Sequence, residues 1–359
     1  MIVSRISVEL LEVPLREPFV MSFFAVTHGR HAIVTVEAGE VSGTGAVCAI
    51  PPLTGETAES VGDAVRSLAP VVAGVPLADR AELHARMNAA LYGNASAKAA
   101  IDFAVHDALG KTLGVPVSTL LGGRRRETVP CTWIIGDKPL ETTTADVRKR
   151  YADGFRTFKL KIGRDDELDI ARIRSVRAQM GDSIKLRVDA NAGYTRERAA
   201  RILSAMDEAN LELIEQPLAR NDLGGHRWLR TRLRAPIMLD ESVGSASDVV
   251  AIADAEAADL IYIKAAKAGG LYPATAIANV AEAAHLGVVV GGNVELAPGC
   301  AANLHFAASF GLNFASDACV GMQMHSPEVM EQFERVGDAV RVPTSPGLGA
   351  RSGLTYSST

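Results

Sequence analysis

Apolar residues in the first fifty positions gather in three runs, at about 2–13, 31–38 and 44–50, rich in Val, Ile and Thr and partly alternating. That pattern predicts three strands, each with one buried face. The stretch EAGEVSGTG after the second run suits a tight turn. The spacing then lengthens and predicts helices over 56–71, 78–90 and 95–113, with Thr54 or Thr57 capping the first. After Gly122-Gly123-Arg124-Arg125-Arg126 short apolar runs alternate with helical stretches. Strands are expected at 128–134, 156–161, 185–189, 211–215, 236–240, 260–264, 287–292 and 312–316. Helices are expected at 165–180, 195–209, 246–257 and 273–285. Such alternation implies parallel strands with crossover helices. The expected fold class is α/β, a TIM-like barrel behind an N-terminal α+β domain, with a doubly wound open sheet as the competing topology. Residues 1–125 form the first unit and 126–320 the barrel. Residues 321–359, with Pro343 and Pro346, are expected to pack back on the first unit.

Composition narrows the classes. The 359 residues are 48% hydrophobic and 22% charged, an ordinary globular balance. Lys and Arg total 37 against 42 Asp and Glu, a formal charge of −5, so the chain lacks the basic excess that nucleic acid or an acidic membrane surface demands. Cys48, Cys131, Cys300 and Cys319 form no CxxC pair, which fits reduced thiols in the cytoplasm. The opening MIVSRISVELLEVPLREPF scatters charges among its apolar residues and lacks a signal-peptide core. Segment 296–316 carries no formal charge and has the length of a membrane span. Pro298, Asn303, His305 and Asn313 instead favour a buried helix leading into a strand.

Charge placement carries the chemistry. Lys161, Asp189, Glu215, Asp240 and Lys264 each end an apolar run, at intervals of 28, 26, 25 and 24 residues. One strand–helix unit has about that length, so the five fall at one level on the carboxyl face of consecutive strands, where barrels build active sites. Isolated charges are costly at the ends of buried strands, so five in register are expected to satisfy one another or an ion. Asp189, Glu215 and Asp240 taken singly fit ordinary helix N-caps. Taken as a periodic set of hard oxygen donors, they fit Mg²⁺, or else Mn²⁺. Lys159 and Lys161 stand two apart on a strand and share a side. Each is expected to lower the other's pKa and so allow base chemistry near neutrality. Lys267 reads as a loop or helix-cap residue, and His28 and His31 as surface or packing residues.

Together FKLKIG, LRVDAN, LIEQPLAR, PIMLDES and IYIKAAKAGG resemble the muconate-lactonizing subgroup of the enolase superfamily, over about 155–295 and more loosely beyond. The resemblance implies a capping domain over a (β/α)7β barrel and Mg²⁺ held by Asp189, Glu215 and Asp240. It implies acid/base roles for Lys161 and Lys264, tuning of Lys161 by Lys159, and self-association. It also implies that Glu241 orients Lys264, that Asn191 lines the site and that Glu295 sits at the substrate rim. Substrate choice would fall to cap loops near 16–30, carrying Phe23 and Arg30, and 48–56. PPLTGETAES resembles the cap of dipeptide epimerases, yet their Asp-x-Asp pair is represented by Asp317 alone, in Ser316-Asp317-Ala318-Cys319. The Gly-Pro-Leu run of muconate-type enzymes is missing, and Gly43-Thr44-Gly45-Ala46 replaces the more usual Gly-x-Gly-Glu.

The leading expectation is a muconate-type cycloisomerase that removes the proton α to a small carboxylate through an enolate. The alternative is a racemase or epimerase of dipeptides or N-substituted amino acids. A catalytically silent metal- or carboxylate-binding protein is the reading from another class.

Overall fold

A computed structural model describes residues 1–311, 314–330 and 333–350. The chain opens with three antiparallel strands in the order β1 (Arg5–Val20), β2 (Ala25–Ala38) and β3 (Val41–Ala49). On β2 Ala32, Val34, Val36 and Ala38 are fully buried, as the period-two pattern requires. Helices α1 (Ala58–Val72), α2 (Arg80–Ala90) and α3 (Ala95–Leu113) follow. Of the two candidate caps Thr57 is the one used, in a reciprocal capping box with Ser60. Gly43 and Gly45 let α3 lie on the sheet. A Cβ on either would come within 2.0 Å of the Ala104 carbonyl or 2.2 Å of the Ala100 carbonyl.

The first hairpin is longer than its hydrophobic pattern indicated. Segment 16–30, expected as a loop, is mostly strand, and only residues 21–24 turn. Polar side chains on a two-stranded arm beyond the core hide the alternation, while the backbone ladder carries on through Phe19–Val26 and Val20–Ala25.

Strand 128–134 divides. β4 (Thr128–Pro130) pairs antiparallel with β13 (Ala339–Arg341), which pairs with β12 (Arg335–Val336). β5 (Trp133–Ile135) begins the parallel barrel. The barrel continues through β6 (Thr157–Lys161), β7 (Lys185–Asp189), β8 (Leu213–Glu215), β9 (Ile237–Leu239), β10 (Leu260–Lys264) and β11 (Gly287–Gly291), in that order around one seven-stranded sheet. Helices lie between successive strands, among them α4 (Leu271–Ala283).

The expected eighth strand, 312–316, lies partly outside the described residues. Ser316 bridges Cys131, and the Asp317 amide donates to Val290, so residues 316–317 join β11 to the start of β5. The side chain of Gln323 completes the seam. Its Oε1 accepts from the Ile134 amide at 3.0 Å, and its Nε2 donates to the Thr132 carbonyl at 2.6 Å. This is a (β/α)7β barrel with an N-terminal cap.

The uncharged segment that begins at residue 296 contains α5 (Ala297–Ser309), buried along its whole length. Among the described residues no helix is long and apolar enough to cross a membrane.

Candidate active site

The five charged strand ends do fall at one level. Lys161, Asp189 and Glu215 are aligned neighbours across β6, β7 and β8. Asp240 follows β9 directly and Lys264 ends β10. Lys159 and Lys161 both point inward and are nearly inaccessible. The backbone after two of these strands is left-handed at residues other than glycine: Asn191 (φ 43°), Ala192 (φ 61°) and Gln216 (φ 34°). Such geometry persists where side chains over-determine it. Here Asp189 Oδ1 accepts from the Asn191 amide at 2.9 Å, and Gln216 Oε1 accepts from the Asp240 amide at 2.9 Å.

The ammonium groups neutralise the carboxylates pairwise. Lys161 Nζ is 2.5 Å from Asp189 Oδ2 and 3.0 Å from Asn191 Oδ1. Lys159 Nζ donates to Glu215 Oε2 at 2.7 Å and to Asp317. Lys264 Nζ lies 2.8 Å from Asp240 Oδ2, and Lys267 Nζ 2.6 Å from Asp240 Oδ1. Beneath this row Tyr262 Oη donates to Asp317 at 2.6 Å. Gly291 makes room for that phenol, since a Cβ there would stand 2.1 Å from the ring.

Burial and mutual repulsion set the titration. Glu215 is pushed well up, first by burial and then by Asp189. Burial followed by Asp240 and Asp189 takes Glu241 up to about 7. Burial also opposes ionisation of Asp189 and Asp240. The lysines beside them outweigh it and hold both below the usual carboxylate range. The expected mutual lowering of the two lysines on β6 does not hold for Lys159. Burial disfavours its charge, but Asp317, Glu215 and Asp189 raise it well above an ordinary lysine.

Several assignments change place. Glu241 bonds Asn191 Nδ2 at 3.1 Å, while Lys264 is held by Asp240. Glu295 is fully buried, with Oε1 accepting from the Asn293 amide at 2.7 Å, so it does not stand at an open rim. Asp317 lies inside the barrel on Lys159 and Tyr262. Arg30 is exposed and paired with Glu12 at 2.9 Å and Glu59 at 3.7 Å. Phe23 is exposed at the hairpin tip against Phe24. Of the two histidines, His28 is exposed and His31 is buried against His325.

Sequence reasoning missed Tyr262, and it gave Lys267 only a capping role. Lys267 sits one helical turn after Lys264, a spacing that returns both ammonium groups to one carboxylate.

The donor chemistry suits a hard divalent cation. Six largely buried carboxyl groups (Asp189, Glu215, Asp240, Glu241, Glu295 and Asp317) face four ammonium groups, so acids outnumber amines, and burial pushes Glu215, Glu241 and Glu295 up for want of further positive charge. The oxygens are turned toward the lysines. Among the described residues no three His, Cys, Asp or Glu side chains are gathered closely enough to hold an ion as they stand.

Comparison with known proteins gives this capped barrel, with acids and amines at its carboxyl mouth, a class. Residues 5–122 match the mandelate racemase / muconate lactonizing enzyme N-terminal domain, and residues 142–352 match the enolase C-terminal domain-like family. The chain therefore belongs to the enolase superfamily, and it is an isomerase of that superfamily. It is 33% identical to the N-succinyl-L-Arg/Lys racemase of Bacillus cereus, over 97% of this chain and 94% of that protein. It is 32% identical to the chloromuconate cycloisomerase CbnB of Cupriavidus necator, over 97% and 95%. Among solved structures, the dipeptide epimerase of Cytophaga hutchinsonii complexed with Mg and D-Ala-L-Val superposes with a TM-score of 0.92. That match has 28% identity and covers 99% of this chain and 97% of the other.

Proposed function

We propose that this isomerase carries out a 1,1-proton transfer at the carbon α to a carboxylate, as a racemase or epimerase of N-substituted amino acids or dipeptides. The observation that carries the reading is the pair of lysines at opposite ends of the carboxylate row. Lys161 stands beside Asp189 at one end, and Lys264 beside Asp240 at the other. Inverting a stereocentre requires one group to take a proton and another to return one from the opposite side. Ring closure needs only one such group.

Asp189, Glu215 and Asp240 would hold Mg²⁺, with Mn²⁺ as a substitute. When bound, the cation supplies positive charge to the substrate carboxylate and so lowers the cost of the charge left when the α-proton departs. Lys161 and Lys264 take and return that proton. Lys159, held cationic by Glu215 and Asp317, keeps positive charge beneath the row. Asn191 positions Lys161 through its Oδ1.

Cycloisomerisation is the second reading, favoured by the identity to the Cupriavidus necator enzyme across nearly the whole chain. The test uses the Mg²⁺-loaded protein in D₂O with each enantiomer of a panel of N-acyl amino acids and dipeptides. The expected result is α-deuterium in both stereoisomers by NMR. Lactonisation of muconate with no α-label in any amino-acid derivative would overturn the reading. We also expect self-association, which sedimentation reports directly.

A further inference from the structure

We propose that the protein carries a second small-molecule site, outside the barrel wall and apart from the reacting row, that takes a flat aromatic carboxylate.

The site is a cavity of about 350 Å³ beside the seam where the barrel closes. Gln323, whose side chain bonds Thr132 and Ile134 across that seam, borders it. Strand register fixes the side of the wall on which it lies. Ile134 pairs with Lys159, which points inward. Trp133 comes one residue earlier and pairs with Phe158, so it faces outward. Its indole lines the cavity together with Phe155, just before β6. The two rings meet edge to face with centroids 4.9 Å apart. A guanidinium covers each ring. Arg150 Cζ lies 4.0 Å from the Trp133 centroid, and Arg335 Cζ 5.3 Å from that of Phe155. Cys131 and Cys319, both buried thiols, add a soft apolar floor. None of the lysines and carboxylates of the reacting row borders this space.

Two polar groups on this wall point to an acid. Trp133 Nε1 is buried and has no hydrogen-bond partner among the described residues. A buried N–H left unpaired is costly, and a ligand oxygen would satisfy it. Arg335 is exposed and donates to the Asp153 carbonyl at 3.0 Å, but among the described residues no carboxylate pairs with it. Arg150, by contrast, is spent on Asp146 at 3.3 Å and Asp153 at 3.0 Å. Three arginines and two aspartates border the cavity, Asp153 and Asp338 being the acids, so the balance of charge favours an anion. The aromatic wall suits a flat body, and the volume suits one ring with a short acidic chain.

The probe is 3-phenylpropanoate, matched with 3-phenylpropanamide, which keeps the ring and chain and loses the charge. Trp133 and Trp228 are the only tryptophans in the sequence, so a Trp228→Phe protein reports the emission of Trp133 alone. The full chain, loaded with Mg²⁺, is titrated with each compound. The acid is expected to shift the emission saturably, with a Kd of about a millimolar or tighter. The amide is expected to bind about tenfold more weakly or worse, the scale of a hydrogen bond to a charged group. Arg335→Gln, a change on an exposed strand, should weaken the acid about tenfold and leave the amide within about twofold. Asp240→Asn, in the reacting row, should leave both affinities as they are. Absence of a saturable shift overturns the proposal, and so does equal binding of acid and amide. A shift that survives Arg335→Gln unchanged but is lost in Asp240→Asn overturns it as well, because the acid is then bound at the reacting row.

Discussion

Lys159 and Lys161 differ by one turn of the pleat, yet their surroundings give them separate tasks. Lys161 meets Asp189 and a neutral amide, whereas Lys159 is locked among three carboxylates. Lys161→Ala and Lys264→Ala should each cut α-proton exchange by about 10²-fold or more, the usual reach of a general acid or base, while circular dichroism shows the fold retained. Asp240→Asn should weaken Mg²⁺ binding in a calorimetric titration, and unchanged affinity would remove it from the ligand set. The lysines and acids were legible in sequence because strand ends recur at the interval of one strand–helix unit, which places them without any knowledge of side-chain contacts. The partners of Glu241 and Asp317 were not legible. Whether a carboxylate bonds an amide, a phenol or a lysine depends on rotamers across the barrel, and Tyr262 reads in sequence as one more apolar strand residue.

At the scale of single elements, the packing of α3 on β3 is the most demanding contact in the cap. Gly45→Ala would drive a methyl group into the Ala100 carbonyl, backbone against backbone, where neither side can yield. A loss of about 1–3 kcal/mol is expected in a denaturant titration, the usual cost of overpacking. Thr57→Ala removes the cap of α1 and should cost about 1 kcal/mol by the same measurement. Helices α1 to α3 were readable to within two residues because their periodic faces end at caps and glycines. The hairpin arm was not readable, since its outer half buries little. The split of 128–134 was hidden too, because one apolar run serves two sheets, β4 with the C-terminal strands and β5 with the barrel.

Across the whole molecule, buried neutral histidines make stability depend on pH. Burial, aided by His325, takes His31 down to about 3. Burial takes His226 and His305 each to about 4, against the pull of the Asp222 backbone carbonyl on His226 and the Leu348 carbonyl on His305. Their folded values lie below the ordinary 6.5, so their contribution is complete above pH 6.5. It is lost as the pH falls toward 4, because the unfolded chain takes up protons that the folded one refuses. Glu215 and Glu241, raised by burial, act in the opposite sense as the pH falls, so the histidine contribution is read as a difference. The melting-temperature difference between the unaltered protein and a His226→Gln variant should hold level from pH 8 to 7 and shift against the unaltered protein from 6.5 to 4, and a difference that stays constant through that window would show the His226 ring accessible to protons in the fold.

One further joint ties cap to barrel. Asp102 of α3 accepts from His84 at 2.8 Å and from the amide of Leu271 at 2.6 Å. Leu271 opens α4, whose own cap position is Gly270, without a side chain to offer. The first domain therefore finishes a helix of the second, seven residues past Lys264. A barrel expressed without its first 125 residues would leave that helix with a bare amide end, so the two halves are expected to melt as one and to lose function together when severed.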